Sequence, residues 1–152
     1  MRILPILILG LSIILAGCWG KAGDESSRNE AFEEVMGFAV SPDVKGIESS
    51  WVFMKDTYAR WLCFSCGEET LARIRNLKAT KPARYSHLSE SPGSSERNPN
   101  APSWWTGAVA PNEFEEIEVD RTDPSKSIET DIVRIWIDGR TRKVYAERNR
   151  WH

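Results

Sequence analysis

Between Ile132 and Ile137 the side chains alternate in character: Val133, Ile135 and Ile137 fall on one side, Ile132, Arg134 and Trp136 on the other. A period of two is the period of a strand. Asp138-Gly139 follows, a dipeptide suited to the positive φ of a tight hairpin turn. Arg142 to Glu147 then returns as the partner strand, with Val144 and Ala146 expected toward the core. A lone hairpin is marginal in water. The segment therefore commits the chain to a larger sheet with a covered apolar face.

Other strands are legible upstream. Val44 to Phe53 is rich in β-branched and aromatic residues, and Lys55-Asp56 is placed to turn it. Thr57 to Ser65 carries Tyr58, Trp61, Leu62 and Phe64, apolar on both sides, as in a central strand. Glu113 to Val119 puts Phe114 on one side and Glu115, Ile117 and Val119 on the other. One helix stands out, Gly67 to Leu77. Ser65 and Glu68 fit a capping box, and Leu71, Ile74 and Leu77 share a face. Residues 78–112 hold five prolines and Ser91-Pro92-Gly93-Ser94-Ser95, which predicts a long irregular loop without regular elements. The order β-β-α-loop-β-β-β predicts an α+β fold: a small, largely antiparallel sheet with one helix packed on a face.

The first eighteen residues carry a different kind of information. Arg2 precedes an apolar run from Ile3 to Ile14, which closes on Leu15-Ala16-Gly17-Cys18. The run is too short to span a bilayer, which takes about 20 apolar residues, and has the plan of an export signal. Its end resembles the lipobox of bacterial lipoproteins. That resemblance covers residues 1–18 alone. It implies removal of residues 1–17, lipid on Cys18 and an anchor in the cell envelope. Trp19 stands where an aspartate would favour inner-membrane retention, so the resemblance points to the outer membrane, facing the periplasm, in a source that has one.

The sequence then divides into the signal at 1–17, a lipidated cysteine and tether at 18–41, and one domain at 42–152. Within the tether, Ser27 and Glu30 fit a capping box. Phe32, Val35 and Met36 share a helical face, and Gly37 is a natural stop. That short helix is expected either to dock on the domain or to fray.

Of the 20 Lys and Arg residues, loss of the signal removes Arg2 and leaves 19 against 22 Asp and Glu, a formal charge of −3. So mild a balance gives no electrostatic case for nucleic acid. Cys63-Phe64-Ser65-Cys66 lies where a strand enters a helix, as in thioredoxin-like redox sites, and Ala110-Pro111 could serve as that fold's later proline. The chain departs from that pattern by ending in a hairpin and by lacking Gly-Pro or Pro-His between the cysteines. In an exported protein the pair is expected as a structural disulfide or as two inert buried thiols. His87 and His152 have no partner at metal-ligand spacing, and no nucleophile elbow or phosphate loop is present. The carboxylates from Glu113 to Asp123 lack the pattern of a calcium loop and read as a charged strand face pairing with the basic C-terminal strands. Trp104-Trp105 in the long loop is the candidate contact surface, or else a cap folded onto the sheet. Together these observations suggest a non-enzymatic binding or accessory module with no cofactor beyond the lipid on Cys18. Its expected partners are the membrane and an envelope protein. Thiol–disulfide exchange at Cys63 and Cys66 is the alternative.

Overall fold

The computed structural model describes residues 19–21, 25–77, 92–93, 100–106, 108, 114–125 and 130–151. Among these residues six strands are formed: β1 (Trp19–Lys21), β2 (Lys45–Met54), β3 (Thr57–Ser65), β4 (Phe114–Asp120), β5 (Thr130–Asp138) and β6 (Lys143–Trp151). Three helices accompany them: α1 (Glu25–Met36), α2 (Glu68–Arg75) and the single turn α3 (Ser103–Thr106). The strands make one sheet in the order β1-β2-β3-β6-β5-β4, and every neighbouring pair is antiparallel. The fold is the small antiparallel α+β class that the element order implied.

The strand alternation sorts the side chains onto two faces. Leu62 and Phe64 of β3, Val144 and Ala146 of β6, Val133, Ile135 and Ile137 of β5, and Ile117 of β4 form an aliphatic core. Register explains why they meet: Ile135 lies opposite Ala146 and Ile117, and Ile137 opposite Val144. Two helices cover this face. Leu71 and Ile74 of α2 are buried on it, while Glu69, Arg73 and Arg75 stay outside. Phe32, Val35 and Met36 of α1 are buried completely, so the helix foreseen in the tether docks and joins the core. Phe32 meets the Phe64 ring edge-on at 4.9 Å.

Besides β1, a strand within the stretch expected as a tether, local details depart from expectation in four places. The α1 helix starts at Glu25, which puts Ser27 inside its first turn and not at a cap. It does stop at Gly37, whose φ of 78° suits a residue without Cβ and whose N–H reaches the Glu33 carbonyl. The cap of α2 is not Ser65 either. Gly67 holds the N-cap position without a side-chain bond, and the helix start is served by Asp43, 24 residues upstream. One Asp43 oxygen accepts the Thr70 N–H at 3.1 Å and the other accepts the Thr70 hydroxyl. A Cβ at Gly67 would lie 2.8 Å from the Asp43 carboxylate, so the close approach requires glycine there.

The third departure is the β5–β6 turn. It is a four-residue loop, because Asp138 pairs with Lys143. Arg142, with φ 57°, takes the left-handed position, and Gly139 does not. Asp138 organises the loop by accepting the N–H groups of Arg140 and Thr141 and the Thr141 hydroxyl. An Asp that caps the turn from its own side chain makes the glycine's freedom unnecessary. The fourth is α3, a helical turn inside the loop expected to have none. Pro102 sits immediately before it, where its missing N–H costs nothing.

Candidate functional site

The second face of the sheet is built from aromatic residues. Trp61 and Cys63 of β3, Trp136 of β5 and Tyr145 of β6 point to it, since Cys63 lies opposite Tyr145 and Trp136 opposite Tyr145. Trp105 of α3 lies on top. Its ring meets Trp136 edge-on at 5.4 Å and Tyr145 at 6.1 Å, and only 3 % of the residue is exposed. Its carbonyl accepts the Gly93 N–H at 3.0 Å, which ties another part of the long loop to it. Trp105 is thus a cap and not a free contact residue; the flat aromatic floor offers it more buried area than solvent exposure would. Trp104 is half-buried, packed against the same cluster and 6.2 Å from the Trp105 ring.

A charged row crosses this face beside the aromatics. Glu118, Arg134 and Glu147 lie opposite one another on β4, β5 and β6. The Arg134 Nε donates to Glu118 at 2.7 Å, with Arg134 almost fully buried. This is the cross-strand pairing of acidic and basic strands anticipated from the charge pattern.

The two cysteines go to different cores. Cys63 belongs to the aromatic face and Cys66 to the aliphatic face beneath the helices, and both are free thiols. They stand three positions apart at the end of a strand, so alternation turns their side chains apart. The disulfide considered from sequence is therefore not formed. Burial pushes Cys63 up to about 11 against the pull of nearby Lys143, and burial together with Asp43 and Glu68 pushes Cys66 up to about 11. An attacking thiolate needs the opposite shift. Cys18, His87 and His152 lie outside the described residues, as does Ala110-Pro111.

At the C-terminal end of α1, Glu34 gathers the most connected polar group of the helix-covered face. Its carboxylate accepts the Tyr58 hydroxyl at 3.0 Å and pairs with Arg60 at 2.8 Å. Arg148 grips Asp131 with two bonds, of 2.8 and 2.6 Å, and donates to the Glu34 carbonyl at 2.9 Å. Arg121 donates to the same carbonyl at 3.2 Å. Cations at a helix C-terminus meet the negative end of its dipole. Burial pushes the Tyr58 phenol up to about 12. These bonds tie the end of α1 to the sheet and β6 to β5.

An open cleft remains at the other end of β2. Arg28 and Asn29 of α1, Val40, Ser41, Pro42 and Val44 of the following connection, and Lys45 and Ile47 of β2 surround a volume of about 550 Å³. That volume is in the usual range of ligand pockets, about 300–1,000 Å³. Val40, Val44 and Ile47 back onto the aliphatic core, and Arg28 and Lys45 are exposed on its rim. A bulge between Lys45 and Glu48, with Gly46 at φ 65°, bends β2 here. Among the described residues the rim carries two cations and no carboxylate. Sequence reasoning missed this place because its two halves, Arg28 and Lys45, were assigned to a tether and a strand start, with no local signal joining them. Among the described residues, no group of three or more His, Cys, Asp or Glu side chains is placed to hold a metal ion.

No protein-family model, curated protein or solved structure matches the chain.

Proposed function

We propose that this protein is a lipid-anchored component of the bacterial cell envelope whose folded part is a non-enzymatic binding or accessory module. The observation that carries the reading is the apolar run ending in Leu15-Ala16-Gly17-Cys18, with a single cation ahead of it. The use of reactive groups supports the second half. The thiols are buried in two cores, and Glu34, Asp131 and Glu118 are engaged in ion pairs that hold the sheet and α1 together. The binding surface is the cleft between α1 and β2, where apolar walls meet the Arg28 and Lys45 cations. It suits a partner segment that presents an apolar side chain beside a carboxylate.

Radioactive palmitate should label the wild-type protein and not Cys18→Ser; an unlabelled wild type overturns the anchor. A photo-crosslinking residue at Arg28 or Lys45 should give a defined adduct in living cells, and one at exposed Arg140 should not. Adducts from Arg140 alone would overturn the choice of the cleft.

A further inference from the structure

We infer that the Phe53 end of the sheet is seated on the membrane surface, so that the Arg28–Lys45 cleft at the other end is held away from the bilayer. The inference rests on the lipid-anchor reading above. Its starting point is β1. This strand pairs antiparallel with β2, with Trp19 opposite Val52 and Lys21 opposite Ser50. The chain therefore enters the sheet at the level of Phe53, and Cys18 is one peptide unit, about 3.8 Å between Cα atoms, from that entry. No flexible spacer separates the lipid from the fold. A tether of more than twenty residues would leave the domain free to tumble; a strand starting next to the lipid does not.

What the structure presents at that end fits the neighbour. Phe53 is 54 % exposed, and among the described residues it is the large hydrophobic side chain left in solvent. It lies opposite Tyr58 and two residues from Trp51, so the three aromatics share one face, the latter two half-buried. Trp151, opposite Thr57, ends β6 at the same level. Aromatic rings with one polar edge are suited to the boundary between headgroups and acyl chains. Among the described residues the exposed charges at this end are Lys55, Asp56, Asp120 and Asp123, one cation against three anions, so the seat is apolar and not an attraction to anionic lipid. From Phe53 to Lys45, β2 runs eight residues, or about 25 Å at a strand's rise. That length sets the cleft on the side remote from the lipid, and the Gly139–Arg142 loop lies at the same level two strands away, since Lys45 is opposite Ser65 and Ser65 opposite Lys143.

The test uses the full-length, processed protein in vesicles of phosphatidylethanolamine and phosphatidylglycerol, with some lipids carrying a doxyl quencher. A fluorophore is placed on Asp56→Cys, next to the proposed seat, or on Arg140→Cys, at the far end. Cys63 and Cys66 are buried and do not compete for label. Quenching should be strong at position 56 and absent at 140. Phe53→Ser in the Asp56→Cys background should reduce it several-fold. Equal quenching at both sites, or none at 56, overturns the seating. Palmitate measured on the same sample separates the two readings. With palmitate present and no contrast, the orientation alone fails; with palmitate absent, the anchor has failed and the orientation with it.

Discussion

The two faces of this sheet reach burial by different routes. The helix side is aliphatic, closed by α1 and α2, and its side chains interlock across strands at Ile135, Ala146 and Ile117. The opposite side is aromatic, with a charged row beside Trp136 and Tyr145, and its cover is one turn of helix carrying Trp105. Regular amphipathic helices supply area in many small increments. A proline-rich segment cannot, so it concentrates the area in one large ring. The first design is robust to single changes of moderate size, and the second depends on one residue.

The largest effect expected from this contrast is on thiol reactivity, because each face holds one cysteine. At pH 8 both should alkylate at least about 100-fold more slowly than in denaturant, since raising a thiol from 9 to about 11 depletes its thiolate by that factor. Fast labelling of Cys63 alone would mean that the Trp105 cap opens while the helix side stays shut.

Trp105→Ala comes next. It should cost about 3–5 kcal/mol in a denaturant melt, as for other buried tryptophans. Trp104→Ala, half-buried, should cost clearly less. A Trp105 variant with an unchanged melt would return that residue to the role of contact surface.

Ile135→Ala or Ile137→Ala on the helix side should cost about 2–4 kcal/mol, while Arg142→Ala should cost little, its pair with Glu68 being exposed on both sides. The reverse ranking in denaturant melts would show the strand register to be off by one.

Asp43→Ala removes the borrowed cap of α2 and should cost about 1 kcal/mol. The Thr70 hydroxyl, followed by backbone N–H groups, holds the Asp43 carboxyl below its ordinary 3.8 despite partial burial. Its stabilisation is therefore complete above the unfolded value near 4 and is lost as pH falls through the lower folded value. Melts recorded from pH 6 down to pH 2 should fall less steeply for Asp43→Ala than for wild type. An unchanged slope would mean that Asp43 does not stabilise α2.

The smallest effect tests the β5–β6 hairpin, whose two strands contribute to both faces. Gly139→Ala should be nearly neutral, because a Cβ there meets nothing within 4 Å. Arg142→Gly should stabilise by up to about 1 kcal/mol by relieving a positive φ. A large loss from Gly139→Ala would restore the two-residue turn suggested by Asp138-Gly139.

These cases show where sequence reading works. The alternation of Val133, Ile135 and Ile137, the central character of β3 and the Phe114/Ile117 split of β4 depend on nearest neighbours along the chain. Each was legible for that reason. Caps and turns were less so, since Ser65 and Gly139 have the correct chemistry, but Asp43 and the Asp138 side chain compete for the same backbone groups and win. The cleft was invisible, because Arg28 and Lys45 become neighbours only when α1 folds back over β2.

The amino-acid order by itself determined the strand faces, the main helix, the antiparallel α+β class and the pattern that points to a lipid on Cys18, because each follows from periodicity or from contiguous residues. Tertiary structure alone decided that the two cysteines part company, that Trp105 is a cap, that Asp43 serves a helix 24 residues away and that β1 joins the sheet beside Val52. Those outcomes are set by which distant surfaces compete best for the same apolar area and the same unpaired backbone groups. That competition has no signature within any short stretch of the chain.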